Sequence, residues 1–480
     1  MKKILFASSE AHPLIKTGGL ADVSGSLPHA LSLLGEDVCL ILPKYQAIHT
    51  PQPVYYKSTL YLGSYEVHLL ETQLPDSSVR VWLVDCPALF ALPGNPYTDA
   101  LGQEWANNAE RFALFCRVVV EVAMDRAYLA WTPDLVHCND WQTGLVPALL
   151  SLENNRPASV FTIHNLAYQG LYPKTTWDAL KLPPSLWHLQ GLEFNGMLSF
   201  IKGGLVYADR ITTVSPTYAD EIQTAELGYG LQGLLSHRSA ALIGIINGID
   251  ANIWNPATDA AITTSYDSKH LSQKQHNKRA LQQRHGLPEH KSIPVFTLIS
   301  RLVEQKGIDL LIACLPELLD LPIQIAILGC GDAGLEQQLL QFARDYPDKM
   351  AVTLGYDEAL AHQLEAGADL FLMPSRFEPC GLNQLYSQRY GTVPIVRHTG
   401  GLADTVTDCS AETLANKTAT GFVFQQARAG ALLEACKRAL WVYSQPKAWQ
   451  QLQRTGMQKD FSWLSSAKAY QLLYGQLAGD

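Results

Sequence analysis

The stretch PSRFEPCGLNQLYSQRYGTVPIVRHTGGLAD, residues 374–404, decides the fold class of this chain. A short apolar run, residues 369–373, precedes it, and a second, residues 393–396, lies inside it, so both are typical of buried strands. Apolar residues between the two runs recur at helical spacing. The pattern predicts a strand–helix–strand unit. Its loops carry a carboxylate, a thiol and a glycine pair at the carboxyl ends of strands, where open α/β sheets bind ligands.

The last six residues of this stretch, TGGLAD, occur a second time at positions 17–22. There they follow a predicted strand, residues 3–8, and again precede a helical pattern. Glycines at such a turn allow the backbone to approach a ligand closely, and the amino end of a helix attracts anions. Two copies near opposite ends of the chain predict two nucleotide-fold halves that face one central cleft.

Predicted strands and helices alternate along the chain, which indicates an α/β fold with parallel sheets covered by helices on both faces. A chain of 480 residues is too long for a single hydrophobic core. We expect one Rossmann-like domain in residues 1–245, a second in residues 246–456, and a C-terminal helix in residues 457–480 that returns to the first domain. An alternating segment at 51–84 predicts an antiparallel ribbon, and the polar run at 254–283 predicts a linker with one helix.

The composition excludes several classes of partner. A net charge of −9 argues against nucleic acid and anionic membranes, since both are bound by basic surfaces. No apolar run approaches the roughly 20 residues of a membrane span. Nine cysteines are scattered without the Cys and His spacing of a metal site, so we expect reduced thiols, no bound metal and a cytoplasmic protein.

Two basic residues, Arg301 and Lys306, lie in one loop after the predicted strand 294–300. A solvated surface pair is the ordinary explanation for such residues. However, a planar guanidinium and a flexible ammonium group together suit a diphosphate, which must be held and then neutralised as it leaves. Their position at the carboxyl end of a strand favours this second interpretation.

Other polar residues also follow buried strands. Asp140 and His164 each lie at the end of a predicted buried strand, and each could be either functional or merely structural. Glu378 lies in a tight turn, where a solvated glutamate is usual but a sugar hydroxyl or a cation is a plausible partner. Cys380 has no histidine near it in sequence, and we interpret it as the wall of a pocket rather than as a nucleophile. Tyr356 can stack on a ring, although core packing is the default for aromatic residues.

The segment Gly329–Gly334 matches the G-x-G-x-x-G pattern of dinucleotide-binding proteins and follows a predicted strand. That fingerprint also requires an acidic residue at the end of the next strand, to bind the ribose. The next predicted strand, residues 351–354, ends in Gly355-Tyr356 instead. A tight turn at a strand end therefore explains the glycines better than a dinucleotide site does.

Six motifs occur in order along the chain: KTGGLADV (16–23), HN (164–165), NGID (247–250), SRL with QKG (300–302, 305–307), PSRFEPCGL (374–382) and HTGGLADTV (398–406). Together they resemble the family of bacterial glycogen synthases and plant starch synthases over nearly the whole length. The resemblance implies the GT-B fold, two Rossmann-like domains with the active site between them. It also implies transfer of glucose from ADP-glucose to the non-reducing end of an α-1,4-glucan, with retention and without a metal or cofactor.

The resemblance further implies which residues do this. The catalytic residues would be Asp140, His164, Arg301, Lys306 and Glu378. Further substrate contacts would come from Lys16, Gly18, Gly19, Asp22, Asn165, Asn247, Tyr356, Cys380, Gly381, Leu382, Thr399 and Gly400. Arg301 and Lys306 would hold the diphosphate, Glu378 the glucose hydroxyls and Tyr356 the adenine.

One position departs from the wider fold class. Many retaining enzymes of that class carry a second glutamate eight residues after the first, and this chain has Tyr386 there, so the ribose must be held otherwise. No carboxylate qualifies as a nucleophile from sequence, which favours a front-face mechanism. A glucan phosphorylase-like enzyme would need a pyridoxal-phosphate lysine. A non-catalytic glucan-binding protein would be expected to have lost Arg301, Lys306 or Glu378, and all three are present.

We predict that transfer activity survives exhaustive chelation, because the sequence has no ligand cluster with metal spacing and cationic side chains can neutralise the diphosphate. The measurement is the rate of glucosyl transfer before and after treatment with EDTA. Activity that is lost with EDTA and restored by magnesium would contradict the prediction.

Overall fold

The computed structural model describes residues 1–477, so the last three residues of the predicted segment 457–480 lie outside the described residues. The chain forms two compact units. Unit 1 contains residues 1–248 together with the segment that begins at Trp463, and unit 2 contains residues 249–462. Each unit is built around its own sheet.

Unit 1 contains twelve strands: β1 (Lys3–Ala7), β2 (Asp37–Pro43), β3 (Tyr55–Leu62), β4 (Tyr65–Gln73), β5 (Arg80–Asp85), β6 (Leu135–Asn139), β7 (Ala158–Ile163), β8 (Leu171–Pro173), β9 (Glu193–Phe194), β10 (Met197–Ser199), β11 (Arg210–Thr213) and β12 (Leu242–Gly244). Nine of them form one sheet in the order β12-β11-β7-β6-β1-β2-β5-β4-β3. The predicted antiparallel ribbon is confirmed as β3 and β4, which extend one edge of this otherwise parallel sheet. A small antiparallel sheet, β8-β10-β9, was not predicted.

Unit 2 contains six strands: β13 (Val295–Ile299), β14 (Gln324–Gly329), β15 (Met350–Leu354), β16 (Leu370–Met373), β17 (Val393–Arg397) and β18 (Phe422–Phe424). They form one fully parallel sheet in the order β15-β14-β13-β16-β17-β18. The central strands are buried on both faces, which explains why they appear in the sequence as continuous apolar runs.

The helices are α1 (Gly19–Leu33), α2 (Pro87–Phe90), α3 (Asn108–Ala123), α4 (Leu145–Leu150), α5 (Lys174–Leu180), α6 (Phe200–Tyr207), α7 (Pro216–Glu221), α8 (Gln232–His237), α9 (Lys274–Arg284), α10 (Ile308–Asp320), α11 (Ala333–Asp345), α12 (Glu358–Gly367), α13 (Asn383–Arg389), α14 (Gly400–Thr405), α15 (Ala411–Ala415), α16 (Ala429–Tyr443), α17 (Pro446–Met457) and α18 (Trp463–Leu477). The predicted strand–helix–strand unit is confirmed as β16-α13-β17, whose strands are parallel neighbours. Within residues 1–477, no helix has both the length and the apolar content that crossing a membrane requires.

Strand order fixes where each sheet can bind a ligand. In unit 2, β13 is followed by β14 and β15 on one side, and the chain then returns to place β16 on the other side. In unit 1, β1 lies between β2 and β6 in the same way. Such reversals open a crevice at the carboxyl ends of the two strands concerned. The crevices therefore lie beside the loops that follow β1 and β6, and beside those that follow β13 and β16.

The C-terminal helix α18 is tied to the centre of the unit 1 sheet. Tyr470 and Tyr474 are buried against α1, and the Tyr474 hydroxyl lies 2.7 Å from Nδ1 of the buried His137 on β6. Nε2 of His137 lies 2.6 Å from the Thr162 hydroxyl on β7. Burial lowers the pKa of His137 to about 3, so this network is uncharged. The last helix of the chain thereby supports the two strands that end in Asp140 and His164.

We predict that Tyr474→Phe lowers the free energy of unfolding by about 1–3 kcal/mol, because it leaves a buried imidazole nitrogen without its hydrogen bond. Denaturant titration measures the change. Tyr128→Phe is the matched control, since that side chain is 88% exposed. Equal stability of the two variants would show that the hydrogen bond contributes little.

Candidate active site

Three loops meet at the carboxyl edge of the unit 2 sheet, and they touch backbone to backbone. A Cβ on Gly307 would lie 2.0 Å from the carbonyl oxygen of Pro374, and one on Gly401 would lie 2.0 Å from that of Cys380. Gly400 has φ +43°, and a Cβ there would lie 2.0 Å from the carbonyl oxygen of Glu378. Only glycine permits these approaches. The loops after β13, β16 and β17 are therefore held together as one surface.

The carboxylate of Glu378 is the centre of this surface. Its Oε2 atom accepts hydrogen bonds from Lys306 Nζ at 2.5 Å and from the Ser375 hydroxyl at 3.1 Å. The two charged side chains are only 8% and 19% exposed, so the ammonium group neutralises a carboxylate that has little contact with water. The sequence left a cation as one plausible partner of Glu378, and in the structure this cation is Lys306.

Arg301 lies in the same loop as Lys306 but is exposed, and its guanidinium donates to Gln305 Oε1 at 3.3 Å. The neighbouring loop after β14 packs closely against this one. A Cβ on Gly329 would lie 1.9 Å from the Ser300 carbonyl oxygen, and the Gly331 amide donates to the Glu336 carboxylate at 2.6 Å. The G-x-G-x-x-G segment is therefore a close-packed turn beside Arg301, as the sequence indicated.

The remaining predicted residues of unit 2 lie along the same edge. Tyr356 follows β15 and is 73% exposed, whereas Cys380 and Thr399 are buried. Gly381 has φ +74°, and Leu382 is half-buried. The edge thus presents, in order across the sheet, an exposed aromatic ring, two cations, a paired carboxylate and a glycine-rich turn.

In unit 1, the glycine loop after β1 is shaped by Glu10, which sequence reasoning missed. Oε2 of this buried carboxylate accepts from the Thr17 amide at 2.6 Å, the Thr17 hydroxyl at 2.7 Å and the Gly18 amide at 3.2 Å. Its Oε1 accepts from the Tyr97 hydroxyl at 3.0 Å. Burial raises the pKa of Glu10. Beyond this loop, Lys16 and Asp22 form an ion pair at 2.7 Å, and Gly19 begins α1.

Asp140 and His164 are brought together by the neighbouring strands β6 and β7. Asp140 has φ +54°, and its Oδ1 accepts from the His164 amide at 2.7 Å. Burial raises the pKa of Asp140 to about 7 and lowers that of His164 to about 3. His164 is thus a neutral imidazole, and its Nε2 lies 3.0 Å from Asn139 Oδ1. Asn139 in turn donates to the carbonyl oxygen of Ala7 at the end of β1, at 3.0 Å.

Two other predicted residues, Asn165 and Asn247, also belong to unit 1. Asn165 is half-buried beside His164. Asn247, at the end of unit 1, is 6% exposed, and its Oδ1 has no hydrogen-bond partner among the described residues. Buried polar atoms are rarely left in this state, so a ligand or water is the expected partner. Trp141 packs on Phe112 and Phe200, as the default for an aromatic residue predicts.

Tyr386, the residue at the position of the missing second glutamate, belongs to a column of rings. It stacks on Trp254 with centroids 3.9 Å apart, and Trp254 stacks on His362 at the same distance. His362 Nδ1 and the Tyr390 hydroxyl both bind Asp259 Oδ2, at 2.7 and 2.6 Å. The column fastens the linker after residue 249 to α12 and α13. No local pattern signalled Trp254, which stands in a polar run.

Within the described residues, no group of three or more His, Cys, Asp or Glu side chains is placed to hold a metal ion.

Comparisons with known proteins agree on one family. The family model for the starch synthase catalytic domain matches residues 3–237, and the model for glycosyl transferases group 1 matches residues 277–454. Glycogen synthase 1 of Methylococcus capsulatus is 57% identical over 99% of this chain and 97% of its own length. Glycogen synthase of Thioalkalivibrio sulfidiphilus is 54% identical over 99% of each chain.

A solved structure gives the same result. The catalytic domain of starch synthase IV from Arabidopsis thaliana, bound to ADP and acarbose, superposes with a TM-score of 0.90 and 32% identity over the full length of both chains. The prediction of an α/β GT-B fold built from two Rossmann-like domains is therefore confirmed.

We predict that Arg301→Ala and Lys306→Ala each lower turnover by at least ~10²-fold, the usual effect of removing a preorganised donor from developing negative charge. The structure separates their effects on stability. Only Lys306→Ala leaves the buried Glu378 without its cation, so only this variant should also lose several degrees of melting temperature. Adding Glu378→Gln to Lys306→Ala should recover the melting temperature but not the activity.

Near-normal turnover in either single variant would remove the role of that cation in the reaction. Equal melting temperatures for Lys306→Ala and the wild type would instead show that the ion pair with Glu378 does not stabilise the fold.

We also predict a stability change for Asp140→Asn that depends on pH. Because the pKa of Asp140 is raised to about 7, folding favours the protonated carboxyl, and its contribution is lost as pH rises from about 4 to about 7. Asparagine keeps the oxygen that accepts from His164 and never ionises. Urea titrations should therefore show the variant gaining stability relative to the wild type between about pH 4 and pH 7, with little further change above pH 7. A difference that is constant with pH would contradict the raised pKa.

Proposed function

This chain belongs to the glycogen and starch synthase family of glycosyltransferases, and from that premise we propose that it transfers glucose from ADP-glucose to the non-reducing end of an α-1,4-glucan, with retention. The observation that carries the proposal is the cluster of Arg301, Lys306 and Glu378 at the crevice between β13 and β16. Two cations and a carboxylate at one crevice suit a ligand that joins a diphosphate to a polyhydroxylated ring.

On this proposal, unit 2 holds the donor. Arg301 and Lys306 bind the diphosphate, and Thr399 and Gly400 line the pocket of its phosphates. Glu378 accepts from glucose hydroxyls, with the amides of Cys380, Gly381 and Leu382 beside it. The bonds from Lys306 and Ser375 both end on Oε2 of Glu378, so we assign the sugar hydroxyl to Oε1. Tyr356, exposed at the edge of the sheet, stacks on adenine.

Unit 1 supplies the groups for the reacting sugar and the acceptor. Lys16 and the amides of Gly18 and Gly19 approach the sugar and diphosphate, in a loop whose shape Glu10 maintains through hydrogen bonds to it. Asp22 fixes the Lys16 ammonium group, and Asn165 and Asn247 offer amide groups to the substrate. His164, being uncharged, can accept or donate a hydrogen bond to a glucose hydroxyl without opposing positive charge on the ring.

The charges that develop during cleavage of the bond to the diphosphate favour one mechanism. As the bond from C1 to the diphosphate breaks, the ring becomes positive and the leaving group negative, and the cations stabilise the leaving group. Double displacement would need a free carboxylate nucleophile. Glu378 is bound to Lys306, and the buried Asp140 has a pKa of about 7 and accepts from the His164 amide. These restraints favour a front-face attack by the acceptor hydroxyl, whose proton passes to the departing phosphate.

The partners of this reaction are ADP-glucose and glycogen or another α-1,4-glucan, and no cofactor is proposed. The nine cysteines are free thiols, which is typical of a reducing compartment, and we propose that the protein acts in the cytoplasm.

The test is transfer of radiolabel from ADP-glucose to glycogen, with UDP-glucose as the matched donor. We expect label in glycogen that an α-1,4-specific exo-glucanase releases, and faster transfer from ADP-glucose, since Tyr356 offers its ring to a purine. Release of glucose 1-phosphate from glycogen and inorganic phosphate, without transfer from either nucleotide sugar, would identify a phosphorylase and overturn the proposal.

A further inference from the structure

The orientation of the Asn139 side chain is fixed by the backbone at the end of β1. This asparagine is the last residue of β6 and is completely buried. Its Nδ2 atom lies 3.0 Å from the carbonyl oxygen of Ala7. A carbonyl oxygen accepts hydrogen bonds and cannot donate one, so the amide nitrogen must face Ala7. The amide oxygen, Oδ1, must therefore point the other way, toward His164.

That oxygen decides which nitrogen of His164 carries the proton. Nε2 of His164 lies 3.0 Å from Asn139 Oδ1, which can only accept a hydrogen bond. Because burial keeps this imidazole neutral, the ring has a single N–H group. The N–H group must be at Nε2, since otherwise the lone pairs of the nitrogen and of the amide oxygen would face each other. Nδ1 of His164 therefore carries no proton.

The unprotonated Nδ1 atom is the one that a ligand can reach. Within residues 1–477 it has no hydrogen-bond partner, yet it is not sealed from solvent. The backbone beside it is also held, since Asp140 Oδ1 accepts from the His164 amide at 2.7 Å. The imidazole thus offers one lone pair in a fixed position, while its N–H group is already bound to Asn139.

We propose that Asn139 is a positioning residue that fixes the tautomer of His164, so that Nδ1 accepts a hydrogen bond from a hydroxyl group of the reacting glucose. The inference rests on the proposed function for the identity of the sugar. A hydroxyl group that donates to Nδ1 gains electron density on its oxygen, whereas one that accepts from an N–H group loses it. The first arrangement favours the positive charge that develops on the ring during transfer. Asn139 should therefore affect turnover more than binding of the donor.

The tautomer is measured by NMR without any substrate. In the full-length chain with isotope-labelled histidine, nitrogen chemical shifts distinguish a protonated from an unprotonated ring nitrogen, and the signals lost in His164→Gln belong to His164. At neutral pH we expect the wild type to carry the proton on Nε2 and none on Nδ1. A proton on Nδ1 would overturn the inference, even if the protein transfers glucose from ADP-glucose. The expected tautomer supports it even if ADP-glucose proves not to be the donor.

Variants at position 139 test the role of the asparagine itself. Asn139→Leu has a similar shape but no acceptor. We therefore expect a mixture of tautomers at His164 and a kcat lower by about tenfold, the effect of one hydrogen bond, with the KM for ADP-glucose nearly unchanged. Asn139→Asp keeps an oxygen facing Nε2 and should retain the tautomer of the wild type. An unchanged tautomer together with unchanged turnover in Asn139→Leu would overturn the role of Asn139, and the measurement on the wild type tests the inference even where a variant does not fold.

Asn277→Leu is the matched control for the loss of a buried asparagine. Asn277 lies on α9 in unit 2, where it donates to the carbonyl oxygen of Thr264 at 2.7 Å and accepts from the Thr264 amide at 2.9 Å. Its replacement should lower the melting temperature and leave both the tautomer of His164 and kcat unchanged. If Asn277→Leu lowered kcat as much as Asn139→Leu does, the loss of turnover would be a general effect of stability, and the inference would be overturned.

Discussion

The site in unit 2 depends on one steric constraint, the absence of side chains where three loops cross. Gly307, Gly400 and Gly401 each place their backbone where a Cβ would lie 2.0 Å from a carbonyl oxygen of the β16 loop. Because these loops follow adjacent strands, the contact brings Lys306 to Glu378 although 72 residues separate them. Any larger residue would force the loops apart and would expose the carboxylate to water.

Three of the buried carboxylates, those beside the candidate site, are accommodated in three different ways. Glu10 accepts hydrogen bonds from two backbone amides, Asp140 has a pKa raised to about 7, and Glu378 is paired with an ammonium group. Each solution limits what the group can do, since burying a charge without compensation is costly. Glu10 acts on the shape of a loop, and neither of the other two is a ready nucleophile.

The two edges of the unit 2 sheet have different chemistry. The carboxyl edge collects cations and glycine turns, as strand ends in parallel sheets commonly do. The amino edge, between α9 and α17, has five Lys and Arg side chains against two carboxylates, together with the exposed Trp441.

The sequence by itself determined the α/β class, the positions of the main strands, and the placing of Arg301, Lys306 and Glu378 at strand ends, because apolar runs and turn residues are local signals. Only the tertiary structure decided that Lys306 neutralises Glu378, that Glu10 shapes the glycine loop, and that Trp254 stacks between His362 and Tyr386. It also decided the small sheet β8-β10-β9. The physical reason for the ion pair and the ring column is that they join residues distant in the chain, and the periodicity of one segment carries no information about which other segment packs against it. Glu10 lies only seven residues from Thr17, but periodicity does not report which side chain accepts from the amides of a loop.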